Sequence, residues 1–178
     1  MVPDFNIVTQ RLMLKLIAAD EGPLLAQCIR RSPSLHQWID WCHAGFSEDE
    51  AERFITATRL NWVKSEAYGF GVYHKHTQEF IGMVALNEFY PTFNMASLGY
   101  WIADEHQQQG YGKEALSALI EFSFAKLRLT RLEIVCDPNN TPSHHLAKRC
   151  GAQFEVIARN RFIDRNRPRD GAVYAVIP

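Results

Sequence analysis

The sequence predicts an α/β fold in one domain, a mixed sheet with helices packed on it. Three observations lead there. Segments in which apolar residues alternate with period two are interleaved with segments of helical period along the whole chain. The helical segments carry recognisable start and stop residues. No repeat, low-complexity tract or Ser/Gly/Pro linker divides residues 1–178.

Taken in order, Arg11 to Ile17 alternates Leu12, Leu14 and Leu16 with Arg11, Met13 and Lys15, as a half-buried strand does. Asp20 can cap a first helix with Pro23 in its opening turn and Leu24, Leu25, Cys28 and Ile29 at helical spacing, ending near Ser32-Pro33. A polar loop then crowds Trp38, Ile39 and Trp41 among His36, Asp40 and His43; these aromatics either pack the helices or wall an acceptor site. Ser47-Glu48-Asp49-Glu50 is a capping box, and Ala51, Phe54, Ile55 and Trp62 continue the helix to about Lys64. Tyr68 to His74 and Phe80 to Phe89 form a hairpin about the polar turn Lys75 to Glu79, and Ala96 to Ile102 is a further strand. Residues 113 to 127 place Leu116, Leu119, Ile120 and Leu127 on one helical stripe. Arg131 to Cys136 is again a strand. Pro142 in the first turn after Thr141 opens the last helix, and Gly151 sits where a left-handed cap ends it. Two closing strands, about 153–163 and 172–177, flank an arginine-rich loop holding Arg159, Arg161, Arg165, Arg167 and Arg169.

Bulk properties narrow the function classes. With 19 basic and 20 acidic residues the net charge is −1, so no general field gathers a polyanion and nucleic acid is not indicated. Cys28, Cys42, Cys136 and Cys150 form no C-x-x-C pair, which leaves core thiols rather than a metal or dithiol site; no metal is expected. The adjacent His144 and His145 point in different directions on a helix and lack a third ligand. Charges at Asp4, Arg11 and Lys15 interrupt the N-terminus, and no segment approaches ~20 apolar residues, so neither a signal peptide nor a membrane span is expected and the cytoplasm is the default location.

The chemistry concentrates in Gln107-Gln108-Gln109-Gly110-Tyr111-Gly112-Lys113, between a strand ending at Ile102 and a helix starting near Gly112. Unpaired amides at a helix N-terminus carry the positive end of its dipole, which suits a phosphate. Glycine at 110 and 112 keeps side chains from holding the phosphate away. Neither the P-loop pattern nor G-x-G-x-x-G is present.

Gln107-x-x-Gly110-x-Gly112 resembles the acetyl-CoA signature of the GNAT superfamily of N-acetyltransferases. Asn140-Thr141-Pro142-Ser143 with Lys148-Arg149-Cys150-Gly151-Ala152 is similar to that family's pattern after its fifth strand. Leu98-Gly99-Tyr100-Trp101-Ile102 and Thr9-Gln10-Arg11-Leu12 look like the RimJ/RimL branch, which acts on ribosomal-protein N-termini, and the likeness runs on to Tyr174. The resemblance implies a mostly antiparallel sheet of about six to seven strands with helices on both faces, splayed between the fourth and fifth strands to admit acetyl-CoA. It implies that backbone at Trp101, Ile102 and Ala103 holds the pantetheine and faces the thioester oxygen, where negative charge grows. The loop Gln107, Gln108, Gln109, Gly110, Tyr111, Gly112 and Lys113 takes the pyrophosphate, and Asn140 contacts the arm near the thiol.

The implied reaction is direct attack of a primary amine on the thioester, so a carboxylate or a water it holds must take the amine's proton. Glu88 and Asp170 are the two candidates. The hydroxyl beside the leaving sulfur is commonly a tyrosine four residues before the helix-ending glycine; here that place holds Ala147, and Ser143 is the substitute, either as proton donor or as a partner of the cofactor or the helix start. The acceptor, a protein N-terminus or a small-molecule amine, is not fixed by these residues, and a homodimer stays open. The alternative to an enzyme is an acetyl-CoA-binding sensor without turnover.

Overall fold

The computed structural model describes residues 1–178. In chain order the elements are β1 (Asn6–Val8), β2 (Leu12–Lys15), α1 (Gly22–Arg30), α2 (Pro33–Trp38), α3 (Glu48–Lys64), β3 (Tyr68–His74), β4 (Phe80–Tyr90), β5 (Met95–Ile102), α4 (Tyr111–Ala125), β6 (Arg131–Cys136), α5 (Thr141–Arg149), β7 (Gln153–Asp164) and β8 (Arg167–Val176). Single 3-10 turns, Pro91–Phe93 and Asp104–His106, bracket β5.

One sheet runs in the order β1-β2-β3-β4-β5-β6-β8-β7. Every neighbouring pair is antiparallel except β5 with β6. The expected mixed, mostly antiparallel architecture is present, with one strand more than expected. Asn6–Val8 adds it by pairing Ile7 with Leu14; three largely exposed residues show no alternation to read.

Helices cover both faces. On one, α4 and α5 lay Leu116, Leu119, Ile120 and Ala147 against Leu14, Phe70, Val84, Leu98 and Ile134. On the other, α1 to α3 lay Leu25, Ile29, Leu35, Ala51 and Ile55 against Tyr73, Met83 and Trp101. Each fully buried Leu or Ile contributes about 1.5–3 kcal/mol, so the two packed layers hold the sheet rigid between them. The predicted box at the start of α3 is present: the Glu50 amide donates to Ser47 Oγ at 3.2 Å and the Ser47 amide donates to Glu50 Oε2 at 2.8 Å. The Ser47 amide, with His43 and the Ser47 hydroxyl, holds the Glu50 carboxyl down at about 2. Gly151, at φ 86°, ends α5 as expected.

Three local expectations need correction. Asp20 does not cap α1; the cap position is Glu21, whose carboxylate instead accepts the Ala18 amide and the Tyr73 hydroxyl, each at 2.7 Å. The loop around Trp38 contains the helix α2, which owes its start to a distant partner, since the Ser34 amide and hydroxyl both donate to the Asp104 carboxylate. The arginine-rich loop is the long hairpin of β7 and β8, with Arg159 and Arg161 on one strand and Arg167 and Arg169 on the other. Only Arg165-Asn166 turns, with both residues at positive φ. Past the sheet this ribbon is largely exposed to solvent, so it lacks the one-sided burial that marks a strand in sequence.

Candidate active site

β5 and β6 pair only from Met95 with Arg131 to Leu98 with Ile134. Beyond that point Gly99 to Ile102 stay bonded to β4, while Val135 and Cys136 stay bonded to β8, so the sheet opens as a wedge. The Ala103 amide donates to the Ile81 carbonyl at 2.9 Å. By the two-residue alternation of an antiparallel ladder, Trp101 and Gly99 also turn their backbone groups to β4, and Tyr100 and Ile102 turn theirs into the wedge. The backbone positions Trp101, Ile102 and Ala103 are therefore not equivalent. Ile102 faces the opening; Trp101 and Ala103 belong to the β4 ladder, and Tyr100, which sequence reasoning passed over, takes their place. The Trp101 side chain is buried against Phe80, with ring centroids 5.8 Å apart.

At the wide end of the wedge stands the N-terminus of α4. Gly110 occupies its cap position at φ 83°, a conformation that L side chains rarely adopt, and a Cβ there would meet the Arg11 guanidinium at 3.2 Å. A Cβ on Gly112 would meet Leu146 at 3.2 Å and Ile102 at 3.4 Å, so glycine lets the helix start press against both walls of the wedge. The amides from Gln108 to Lys113 have no backbone acceptor; the first bond of the helix runs from Glu114 to the Gly110 carbonyl at 3.1 Å. Four N–H groups at a helix start, with Lys113 and Arg149 lining the same cavity, form a cradle that fits a pyrophosphate.

This cradle is held from behind. Glu114 accepts the Thr9 hydroxyl at 2.6 Å, the Arg11 amide at 2.8 Å and the Arg11 guanidinium at 2.7 Å. Partial burial would raise the Glu114 carboxyl, but those bonds outweigh it and hold the group below its usual range. Arg11 also donates to the Gln109 carbonyl at 3.0 Å and lies 4.5 Å over the Tyr111 ring. Tyr111 is thereby committed to packing. Gln107, expected to reach the cofactor with its side chain, instead donates to the Ile102 carbonyl and the Ser34 hydroxyl, both at 2.9 Å, and approaches Asp104 at 3.2 Å. It ties the loop to the end of β5 and to α2. The Gln109 side chain likewise turns back, to the Glu105 carbonyl. Thr9, Arg11, Ser34 and Asp104 were not recognised as site residues in sequence because their partners lie about seventy to one hundred residues away.

Across the wedge, the Asn140 side chain caps α5 by accepting the Ser143 amide at 3.2 Å. The Ser143 hydroxyl meets the Tyr100 phenol at 2.8 Å. Burial pushes the Cys136 thiol up even though the Ser143 hydroxyl lies beside it, so it stays a neutral neighbour. Asn140, Ser143, Cys136 and Tyr100 all line one cavity of about 1340 Å³, above the ~300–1,000 Å³ usual for a single small ligand and enough for two substrates.

The same cavity is also lined by Trp38, Ile39, Trp41 and Phe54, from α2, the loop after it and α3, and by Phe162 and Ile163 of β7. Trp41 stacks on Phe54 with centroids 4.5 Å apart. The tip of the β7–β8 hairpin crosses to this wall, where Arg165 donates to the His36 carbonyl at 2.7 Å. Glu88 lines the cavity from a bulge in β4 where its own φ is 45°, and its carboxylate accepts the Ser97 hydroxyl at 3.0 Å. Asp137, the other lining carboxylate, lies 3.5 Å from Arg169. Asp170 does not line the cavity; it accepts the Asn160 amide at 3.0 Å and pins the hairpin. His144 bonds to Tyr174 at 2.6 Å and does not line the cavity, whereas its neighbour His145 does. No cluster of three potential metal ligands exists, and no helix is long and apolar enough to cross a membrane.

A sheet splayed between β5 and β6, with a phosphate cradle at the wide end and a hydroxyl at the narrow one, defines an acyl-CoA transferase site, and the domain model described as "Acetyltransferase (GNAT) domain" matches residues 11–153. The chain belongs to that family and is an acetyl-CoA-dependent acetyltransferase of the RimJ/RimL-like kind. A solved structure of a candidate ribosomal-protein-serine acetyltransferase from Vibrio cholerae is 65% identical over the whole of both chains, with a TM-score of 0.94. The ribosomal-protein-serine acetyltransferase of Escherichia coli is 28% identical over 83% of this chain and 82% of its own. An uncharacterised N-acetyltransferase from Bacillus licheniformis, p20, is 32% identical over 87% of this chain and 86% of its own.

Proposed function

We propose that this acetyltransferase moves the acetyl group of acetyl-CoA to the α-amine of a protein N-terminus, with serine the first residue to test. The observation that carries the reading is the lining of the cavity: beside the wedge residues it includes the apolar Trp38, Ile39, Trp41 and Phe54 and a single carboxylate without a cationic partner, Glu88. A small polar amine would find little to bind on the walls of Trp38, Ile39, Trp41 and Phe54, whereas an extended chain end can lay its backbone and side chains along them. The names of the Vibrio and Escherichia relatives support the same acceptor class.

Bound acetyl-CoA supplies the acyl thioester. Glu88, directly or through a water it holds, takes the proton from the attacking amine, which is mostly protonated at neutral pH and must lose it to react. The amides facing the wedge at Tyr100 and Ile102 lie where the carbonyl oxygen gains charge. Ser143 donates to the departing sulfur. A thiol with a reference pKa near ~8.5 leaves readily, so a hydrogen bond suffices there and a strong acid is unnecessary.

The test is thiol release together with peptide mass. Synthetic peptides with free N-terminal serine or alanine, their N-blocked counterparts, and a panel of free amino acids and polyamines are each incubated with acetyl-CoA. Turnover confined to the free N-termini, with a gain of one acetyl group, is the expected result. Turnover confined to the small amines would overturn the acceptor, and binding of acetyl-CoA without turnover on any amine would point to the sensor.

A further inference from the structure

The tyrosine of the Leu98-to-Ile102 strand enters the sequence reading only as a family mark. In the structure its phenol reaches across the wedge from β5 to α5 and touches Ser143 twice, at Oγ (2.8 Å) and at the backbone carbonyl (3.1 Å). This contact crosses the opening where the two strands part and ends on the hydroxyl proposed as the donor to the departing sulfur. We infer that Tyr100 is the positioning residue of the leaving-sulfur site, holding the Ser143 hydroxyl in the rotamer that aims its proton at the departing thiolate. The inference rests on reading Ser143 as the donor to that sulfur.

Two hydrogen-bond arrangements are available. If the phenol donates to the Ser143 carbonyl, the Ser143 proton is free to turn back onto the phenol oxygen. If the phenol donates to Ser143 Oγ, the serine proton is displaced outward, toward the wedge. Negative charge growing on the sulfur draws the pair into the second arrangement, and a hydroxyl that already accepts a bond is the stronger donor. Burial pushes the Tyr100 phenol up, far from any pH at which it would give up its proton, so the group polarises and orients its neighbour and does not itself protonate the thiolate. Ala147, the position at which many relatives place a tyrosine, is fully buried in the core beneath α5. In this chain the phenol beside Ser143 comes instead from β5.

Loss of the phenol oxygen leaves no orphaned carbonyl, because Ser143 lies in the first turn of α5 and its carbonyl is satisfied by the helix. Tyr100→Phe is therefore a conservative deletion. Single-turnover acetyl transfer is measured for Tyr100→Phe, Ser143→Ala and the double variant, with acetyl-CoA KM and the thermal shift caused by CoA measured alongside. Tyr100→Phe is expected to slow transfer about 5- to 10-fold, the factor that loss of one ordinary hydrogen bond produces, with KM for acetyl-CoA and the thermal shift unchanged. In the Ser143→Ala background the same change is expected to have no further effect. Tyr100→3-fluorotyrosine, a better donor of nearly the same size, should keep at least the wild-type rate, which a purely structural role would not require. Independent, multiplying effects of the two substitutions would overturn the inference, as would an unchanged rate in Tyr100→Phe or a loss confined to CoA binding. An unchanged rate in Ser143→Ala alone would instead remove the role of Ser143, and a slow Tyr100→Phe beside it would make the phenol itself the acting group.

Discussion

Gly110→Ala tests how far the cradle depends on one backbone conformation. In the left-handed region an alanine costs about 1–2 kcal/mol relative to glycine, and its smaller unfolded-state entropy returns about 0.4–1 kcal/mol. The added Cβ at 3.2 Å from Arg11 meets the end of a flexible side chain, which can yield, so the net loss of stability comes to about 1 kcal/mol. For a chain of this size that is a fall in Tm of about 2–4 °C. The larger effect is on the cofactor, because relaxing φ at the cap position swings the amides that follow. With acetyl-CoA at 100 times its Kd the wild type gains about 2.7 kcal/mol, and a tenfold weaker grip removes about 1.4 kcal/mol of it. The ligand-induced rise in Tm should shrink by roughly half. Gly110→Asn, which accepts the left-handed region more readily, should fall between the two. Melting curves with and without acetyl-CoA decide the matter: an alanine variant with the wild-type ligand shift would refute the assignment of these amides to the pyrophosphate.

Other substitutions separate the remaining roles. Glu88→Gln should lower kcat about 100-fold or more at pH 7, as read by thiol release, and leave the acetyl-CoA thermal shift intact. Glu114 has a folded-state pKa below its unfolded reference, so its contribution to stability is complete above about pH 4.5 and fades as pH falls through the folded value; Glu114→Gln should therefore narrow the Tm difference from wild type as the pH is lowered below that reference. Arg165→Ala frees the hairpin tip from the His36 carbonyl and should raise KM for the acceptor peptide several-fold without changing KM for acetyl-CoA. Ser47→Ala removes the capping hydroxyl of α3 and should cost about 1 kcal/mol, a Tm loss of roughly 2–4 °C in differential scanning calorimetry.

What could be read from the sequence follows the range of the forces involved. The β5–loop–α4 unit, the box at Ser47 and the ending of α5 at Gly151 are local, and each has a side-chain requirement that only a few residue types meet. The functions of Gln107 and Tyr100 are not local. Gln107 looked like a ligand group because a glutamine beside an anion loop can serve as one, yet its partners Ser34 and Asp104 come from segments with no sequence signal of their own. Tyr100 was hidden by the strand pattern, in which every second residue is expected to face the core and nothing distinguishes a phenol that packs from one that also crosses to α5. Asp170 failed for the converse reason: a carboxylate near a strand end is indistinguishable in sequence from one that closes a bulge with a backbone amide. Position in the wedge comes from the parting of β5 and β6, which depends on pairings more than thirty residues apart.

The bond from Gln107 to Ser34 joins the segment that grips phosphates to the short helix whose far end carries Trp38. Any displacement of α2 on acceptor binding would reach the cradle through Ser34 and Asp104. Affinity for the two substrates would then be linked, and a redesign of the aromatic wall for a new acceptor should alter nucleotide affinity as well unless the bonds of Ser34 to Asp104 and Gln107 are removed.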